Sequence, residues 1–147
     1  MKQFNILQVE DNEGDVFLIK EAFKEAGSNV NIIVARNGRE AIEYLNNCAA
    51  IPSMIIPDLI LLDINLPKLN GHQVLKYCKS SEFKEIPIII LSTSSASDDI
   101  VNAYKNYANC YITKPLELVD YIDTIKSIES YWLKLTQLPN SMLNEPI

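Results

Sequence analysis

A doubly wound α/β fold, a parallel sheet with helices on both faces, is predicted by three features of this sequence. Short apolar runs rich in branched residues alternate five times with segments whose apolar residues recur at helical spacing. The apolar runs are hydrophobic on both faces, as strands covered on each side by helices must be. The run Ile60-Leu61-Leu62-Asp63-Ile64-Asn65 ends an apolar strand in a bare carboxylate. Such a charge is costly inside a core, but the carboxyl ends of parallel strands are where ligands sit.

The elements follow in order. Phe4-Asn5-Ile6-Leu7-Gln8-Val9 reads as a strand ending in Glu10-Asp11-Asn12, and from Asp15 a helical stripe (Val16, Leu18, Ile19, Ala22, Phe23, Ala26) runs to Gly27. Residues 30–35 form a β-branched second strand, Asn37-Gly38 a turn, and Ala41, Ile42 and Leu45 mark the next helix. A loop over 46–57 contains Pro52 and Pro57, and its apolar Ile51, Met54, Ile55 and Ile56 should pack onto the surface. Residues 59–62 form the third strand, 65–71 a polar turn with Pro67, and Val74, Leu75 and Cys78 the third helix. Pro87 opens a fourth strand over 88–91, where its missing N–H is tolerated. Asp98 or Asp99 is placed to cap the helix after the 92–97 loop. Cys110-Tyr111-Ile112 makes a short fifth strand before Thr113-Lys114-Pro115, and a last helix runs from about Leu116 to about Leu135.

At 147 residues the chain is one ordinary domain, and a net charge of -6 with no basic stripe argues against direct nucleic-acid binding. Neither a signal-peptide pattern nor an apolar run of membrane-spanning length is present, so no membrane association is expected. Cys48, Cys78 and Cys110 are odd in number and lack metal-ligand spacing, which suits a reduced, cytoplasmic setting.

The chemistry gathers at the strand ends. Glu10 and Asp11 follow strand one, Asp63 strand three, Ser92 strand four and Lys114 strand five. In a parallel sheet these ends share one edge. Three carboxylates brought together repel one another, and oxygen-only ligands select a hard cation, Mg²⁺. A cation, a hydroxyl and an ammonium together describe a site for a phosphoryl group. Taken singly, each of these residues is an ordinary turn or cap. Only their joint placement points to a site.

The set Glu10-Asp11, Asp63, Ser92 and Lys114-Pro115, with Pro67 and Gly71 in the loop after the acceptor, resembles the receiver domain of a two-component response regulator over residues 4–132. The resemblance implies a flavodoxin-like (βα)5 sandwich with strand order 2-1-3-4-5. Residues 1–135 are expected to form the receiver and 136–147, with a Pro- and Asn-rich end, a loose tail, without an output domain. The resemblance implies that Asp63 accepts a phosphoryl group from a sensor histidine kinase. Asp11, Asp63 and the backbone carbonyl of Asn65 would bind Mg²⁺ directly, with Glu10 binding directly or through water. Lys114 would hold a phosphoryl oxygen, aimed by a cis Lys114-Pro115 bond. Ser92 and Tyr111 would form the switch, the serine moving toward the phosphoryl group as the tyrosine turns inward. A downstream protein target or phosphotransfer protein would read the result.

Several departures accompany the match. The acidic pair is Glu-Asp where Asp-Asp is common, and Ser92 stands where Thr is commoner, with Thr93 adjacent. The 46–57 loop, Ser92-Thr93-Ser94 and the 109–114 segment are most similar to small receivers that serve phytochrome-type kinases. His72 is expected to be a surface residue with no carboxylate to orient it. The last helix, with Leu118, Tyr121, Ile122, Ile125, Ile128, Trp132 and Leu135, has more apolar surface than one sheet contact needs. With Tyr104 and Tyr107 it suggests a homodimer through helix four, strand five and helix five.

Other classes fit less well. An aspartyl-phosphate phosphatase would carry an acid two residues after the acceptor, and Asn65 cannot transfer a proton. The domain is therefore expected to act only on its own phosphoryl group and not as a turnover enzyme. A flavin phosphate would be repelled by Glu10-Asp11-Asn12-Glu13. A degenerate receiver serving as a phosphorylation-independent interaction module would not need the intact acidic set.

Overall fold

The computed structural model describes residues 2–139. Five parallel strands, β1 (Phe4–Val9), β2 (Val30–Ala35), β3 (Leu59–Leu62), β4 (Ile88–Ser92) and β5 (Cys110–Thr113), lie in the order β2-β1-β3-β4-β5. Between and after them run α1 (Glu13–Glu25), α2 (Gly38–Ala50), α3 (Gly71–Lys79), α4 (Ser97–Lys105) and α5 (Leu118–Ile128). The expected order and alternation are those observed.

Strand residues point alternately to two cores. On one face Leu7, Val9, Ile60, Leu62, Ile88 and Ile90 pack against α2, α3 and Ala103 of α4. On the other, Ile6, Leu59, Leu61, Ile89 and Leu91 meet Ile19 and Phe23 of α1 and Tyr121, Ile125 and Ile128 of α5. Both faces of β3 and β4 are fully buried, which is why these strands read as unbroken apolar runs.

The register sets the site. Val9 lies opposite both Ala35 and Leu62, and Leu62 opposite Ile90, so Glu10 and Asp63 leave the sheet level with each other. Backbone bonds hold the departing chain: Asp63 N–H donates to the Val9 carbonyl at 3.1 Å and Lys114 N–H to that of Ser92 at 2.7 Å. The β3–α3 loop then folds back on itself. A Cβ added to Gly71 would lie 2.2 Å from the Asp63 carbonyl oxygen, so only glycine lets α3 start this close to the acceptor.

Several boundaries differ from the sequence reading. Helix α2 continues to Ala50, through residues assigned to the loop, because 46–50 contain neither Gly nor Pro and end in two alanines. The rest of that loop packs down as expected: Met54 and Ile56 touch the core, and the Tyr44 hydroxyl donates to the Ile55 carbonyl at 2.5 Å. Neither Asp98 nor Asp99 caps α4, whose N-cap is Ala96. The last helix starts at Leu118 and changes to wider π-helical winding over Glu129–Leu135. The tail assigned from 136 onward begins inside the fold, since Leu138 is 3% exposed in the α1/α5 core. The remainder of that assignment, 140–147, lies outside the described residues.

Candidate functional site

Glu10, Asp63, Ser92 and Lys114 are all buried polar residues at the carboxyl edge of the sheet, and Asp11 beside them is exposed. Carboxylate oxygens of Glu10, Asp11 and Asp63 lie within 4.8 Å of one another. These are three hard donors converging from two adjacent strands, as a divalent cation requires. Asn65 is exposed in the following loop, its N–H donating to Asp63 Oδ1 at 3.4 Å.

Lys114 reaches this cluster from β5, across the end of β4. At the end of β4, Ser92 is fully buried and Thr93 next to it is exposed. The Lys114 ammonium donates to Glu10 Oε1 and, at 2.8 Å, to Asp15 Oδ2, and lies 3.5 Å from Asp63 Oδ2. Among the described residues no peptide bond is cis, and the Lys114-Pro115 bond is trans, against the sequence expectation. The trans form is the ground state for an X–Pro bond by roughly 0.5–1 kcal/mol, and with it the lysine already meets all three carboxylates.

Charge and burial pull these groups in opposite directions. Burial alone would lower the Lys114 pKa, but its hydrogen bonds to Asp15 and Glu10 and the nearby Asp63 hold it above the usual lysine range. Lys114 is therefore a fixed positive charge. Burial pushes the Glu10 carboxyl up from the normal carboxylate range, opposed by Lys114.

A chain of hydrogen bonds leads away from Ser92. Ser94 N–H donates to Ser92 Oγ at 3.3 Å, the Ser94 hydroxyl to Asp99 Oδ2 at 2.6 Å, and the Tyr111 hydroxyl to the Ser94 carbonyl at 2.8 Å. The other oxygen of Asp99 is 2.9 Å from His72 Nε2. His72 is thus oriented by a carboxylate, contrary to the sequence reading, because α4 packs beside α3 and brings Asp99 to it. Tyr111 and Ser92 meet the same loop at Ser94.

Residues 6–126 match the family described as response regulator receiver domain. The chain belongs to that family. The response regulator Rcp1 of Synechocystis sp. is 38% identical over 135 residues, 91% of this chain and 92% of that protein. A probable methanogenesis regulatory protein, FilR2 of Methanothrix harundinacea, is 39% identical over 92% of this chain and 88% of its own length. Among solved structures, the phosphorylated cyanobacterial phytochrome response regulator RcpA superposes with a TM-score of 0.88 at 41% identity, covering 94% of this chain and 99% of that one. The Mn²⁺-bound form of Rcp1 gives 0.86 at 37% identity, covering 92% and 99%. Receiver domains bind a divalent metal in their acidic site, and the Glu10, Asp11 and Asp63 donor set suits one.

Two features around the site escape sequence reasoning. Asp15 stands in the first turn of α1, where an acid is favoured by the helix dipole whatever its function, so nothing local marks it. The Asp99–His72 link joins residues 27 apart, and no local spacing signals it.

Because a metal ligand must be ionised and Glu10 is shifted up, cation affinity should rise with pH through that shifted range. Mg²⁺ titrations from about pH 8 to about pH 6 should show affinity falling in the wild type. In Glu10→Gln the binding should be weaker throughout and nearly flat over the same range.

Proposed function

We propose that Asp63 is the phosphoryl acceptor of a two-component pathway, phosphorylated by a sensor histidine kinase. The observation that supports this best is the acceptor's setting: a buried carboxylate level with two others and 3.5 Å from an ammonium that burial does not discharge. An ionised Asp63 oxygen would attack phosphorus in line, forming an O–P bond as the donor's N–P bond breaks and its imidazole leaves. Lys114 would hold a phosphoryl oxygen. Mg²⁺ is the cation we assign, held by Glu10, Asp11, Asp63 and the Asn65 backbone carbonyl, and it would neutralise charge on the phosphoryl oxygens.

Ser92 would bond another phosphoryl oxygen, drawing on the loop that Ser94 shares with Tyr111 and so coupling the acceptor to the α4–β5–α5 face. With Asn65 in place of an acid, the domain would lose its phosphoryl group slowly and turn over no external substrate. The likeness to the phytochrome response regulator RcpA supports a phytochrome-type kinase as donor, and we place the transfer in the cytoplasm. A protein target or phosphotransfer protein would read the phosphorylated face. Incubation with Mg²⁺ and acetyl phosphate should add one phosphoryl group by mass, and Asp63→Asn should add none. No uptake by the wild type, or equal uptake by Asp63→Asn, would contradict the assignment.

The same face supports self-association. Val101, Tyr104 and Tyr107 of the α4 region and Leu118 and Val119 of α5 are all exposed, Tyr107 at 75%. We infer that this apolar surface pairs two copies of the chain. Sedimentation velocity at micromolar concentration should show a dimer that Tyr104→Asp weakens. A monomer with and without beryllofluoride would rule the pairing out.

A further inference from the structure

The partners of Lys114 are of two kinds. Glu10 and Asp63 belong, with Asp11, to the trio whose oxygens converge within 4.8 Å, and a divalent cation would claim them. Asp15 stands outside that trio, yet accepts a hydrogen bond from the same ammonium at 2.8 Å. We propose that Asp15 is the positioning residue of Lys114, holding the ammonium beside the acceptor from a place that neither the cation nor the phosphoryl group takes over. The inference rests on the reading of Asp63 as phosphoryl acceptor.

Binding strength alone does not account for a carboxylate here. Asp15 adds a fourth negative charge beside a site that must receive an anion, and like charges at short range oppose that. Geometry does account for it. A lysine is a point charge on a flexible four-carbon stem, with three donors that can swing. The Lys114 backbone is fixed by its bond to Ser92, but its ammonium lies a full side chain away.

Asp15 is itself well anchored. Its N–H donates to Asn12 Oδ1 at 3.0 Å, and it sits in the first turn of α1, where the helix dipole favours a carboxylate. The side chain is only 21% exposed, so water competes weakly for it. One donor of Lys114 is thereby tied to a helix that the chemistry does not touch. The second goes to Glu10, and the third, held only at 3.5 Å from Asp63 Oδ2, can turn to the oxygen arriving there. Displacing a catalytic group by about 1 Å can cost on the order of 10²-fold in rate, so a pin of this kind matters more than its adverse charge.

The alternative is a purely structural ion pair stitching α1 to β5. Removing it would lower stability but leave anion binding alone. The two separate cleanly when Mg²⁺ affinity, beryllofluoride affinity at saturating Mg²⁺, and thermal midpoint are measured on wild type, Asp15→Ala and Asp15→Asn. Asparagine keeps an acceptor oxygen for Lys114 and drops the charge.

On the proposal, Asp15→Ala weakens beryllofluoride binding by about tenfold or more while Mg²⁺ affinity stays within about threefold, and Asp15→Asn restores binding to within about threefold of wild type. The proposal is overturned if Asp15→Ala binds beryllofluoride like the wild type. It is equally overturned if Asp15→Asn is as impaired as Asp15→Ala, or if Mg²⁺ affinity falls in parallel. A wild type that binds no beryllofluoride would instead overturn the acceptor reading beneath it.

Discussion

The site depends on one buried ammonium. Lys114 is the sole positive side chain bonded to Glu10, Asp15 and Asp63 among the described residues, and Asp11 adds a further carboxylate close by. Buried charges persist only when paired and hydrogen-bonded. Without Lys114, Glu10 and Asp63 would be left as adjacent buried anions, a cost of several kcal/mol. With it, the cluster still carries more negative than positive charge, and this excess equips the edge of the sheet to take up a cation.

Topology makes the pairing possible. Because β1 and β3 are neighbours in register, their acidic ends fall level without distortion. Strand β5 lies two places from β3, so the lysine must cross the end of β4. Ser92 ends that strand and is fully buried. The same small hydroxyl starts the chain of bonds through Ser94 to Asp99, His72 and Tyr111. A displacement at Ser92 therefore has a physical route to α3, α4 and the exposed apolar face, without any second site being needed.

Much of this is legible in the sequence, for identifiable reasons. Asp63 is conspicuous because a charge ending a wholly apolar strand adds nothing to the packing of that strand. Glu10, Asp11, Ser92 and Lys114 are conspicuous because they end strands that must share an edge. Asp15 is not, since an acid in the first turn of a helix is what the dipole favours regardless of function. His72 reads as a lone surface residue because Asp99, its partner, reaches it only through the packing of α4 on α3. The cis Lys114-Pro115 bond is an expectation of family resemblance, and the lysine reaches its carboxylates without it. Helix α2 runs past its expected end because the prolines that suggest a loop lie further on, and no breaker lies within 46–50.

The central claim, that Glu10, Asp11 and Asp63 form a cation site left under-neutralised by Lys114, is tested most directly by thermal unfolding against Mg²⁺ concentration at constant ionic strength. A ligand bound only by the folded state stabilises it by about 2.7 kcal/mol at a hundredfold excess over its dissociation constant. The account predicts a saturating rise in midpoint for the wild type that is lost in Asp11→Asn. A midpoint indifferent to Mg²⁺, or one that rises equally in Asp11→Asn, would contradict it.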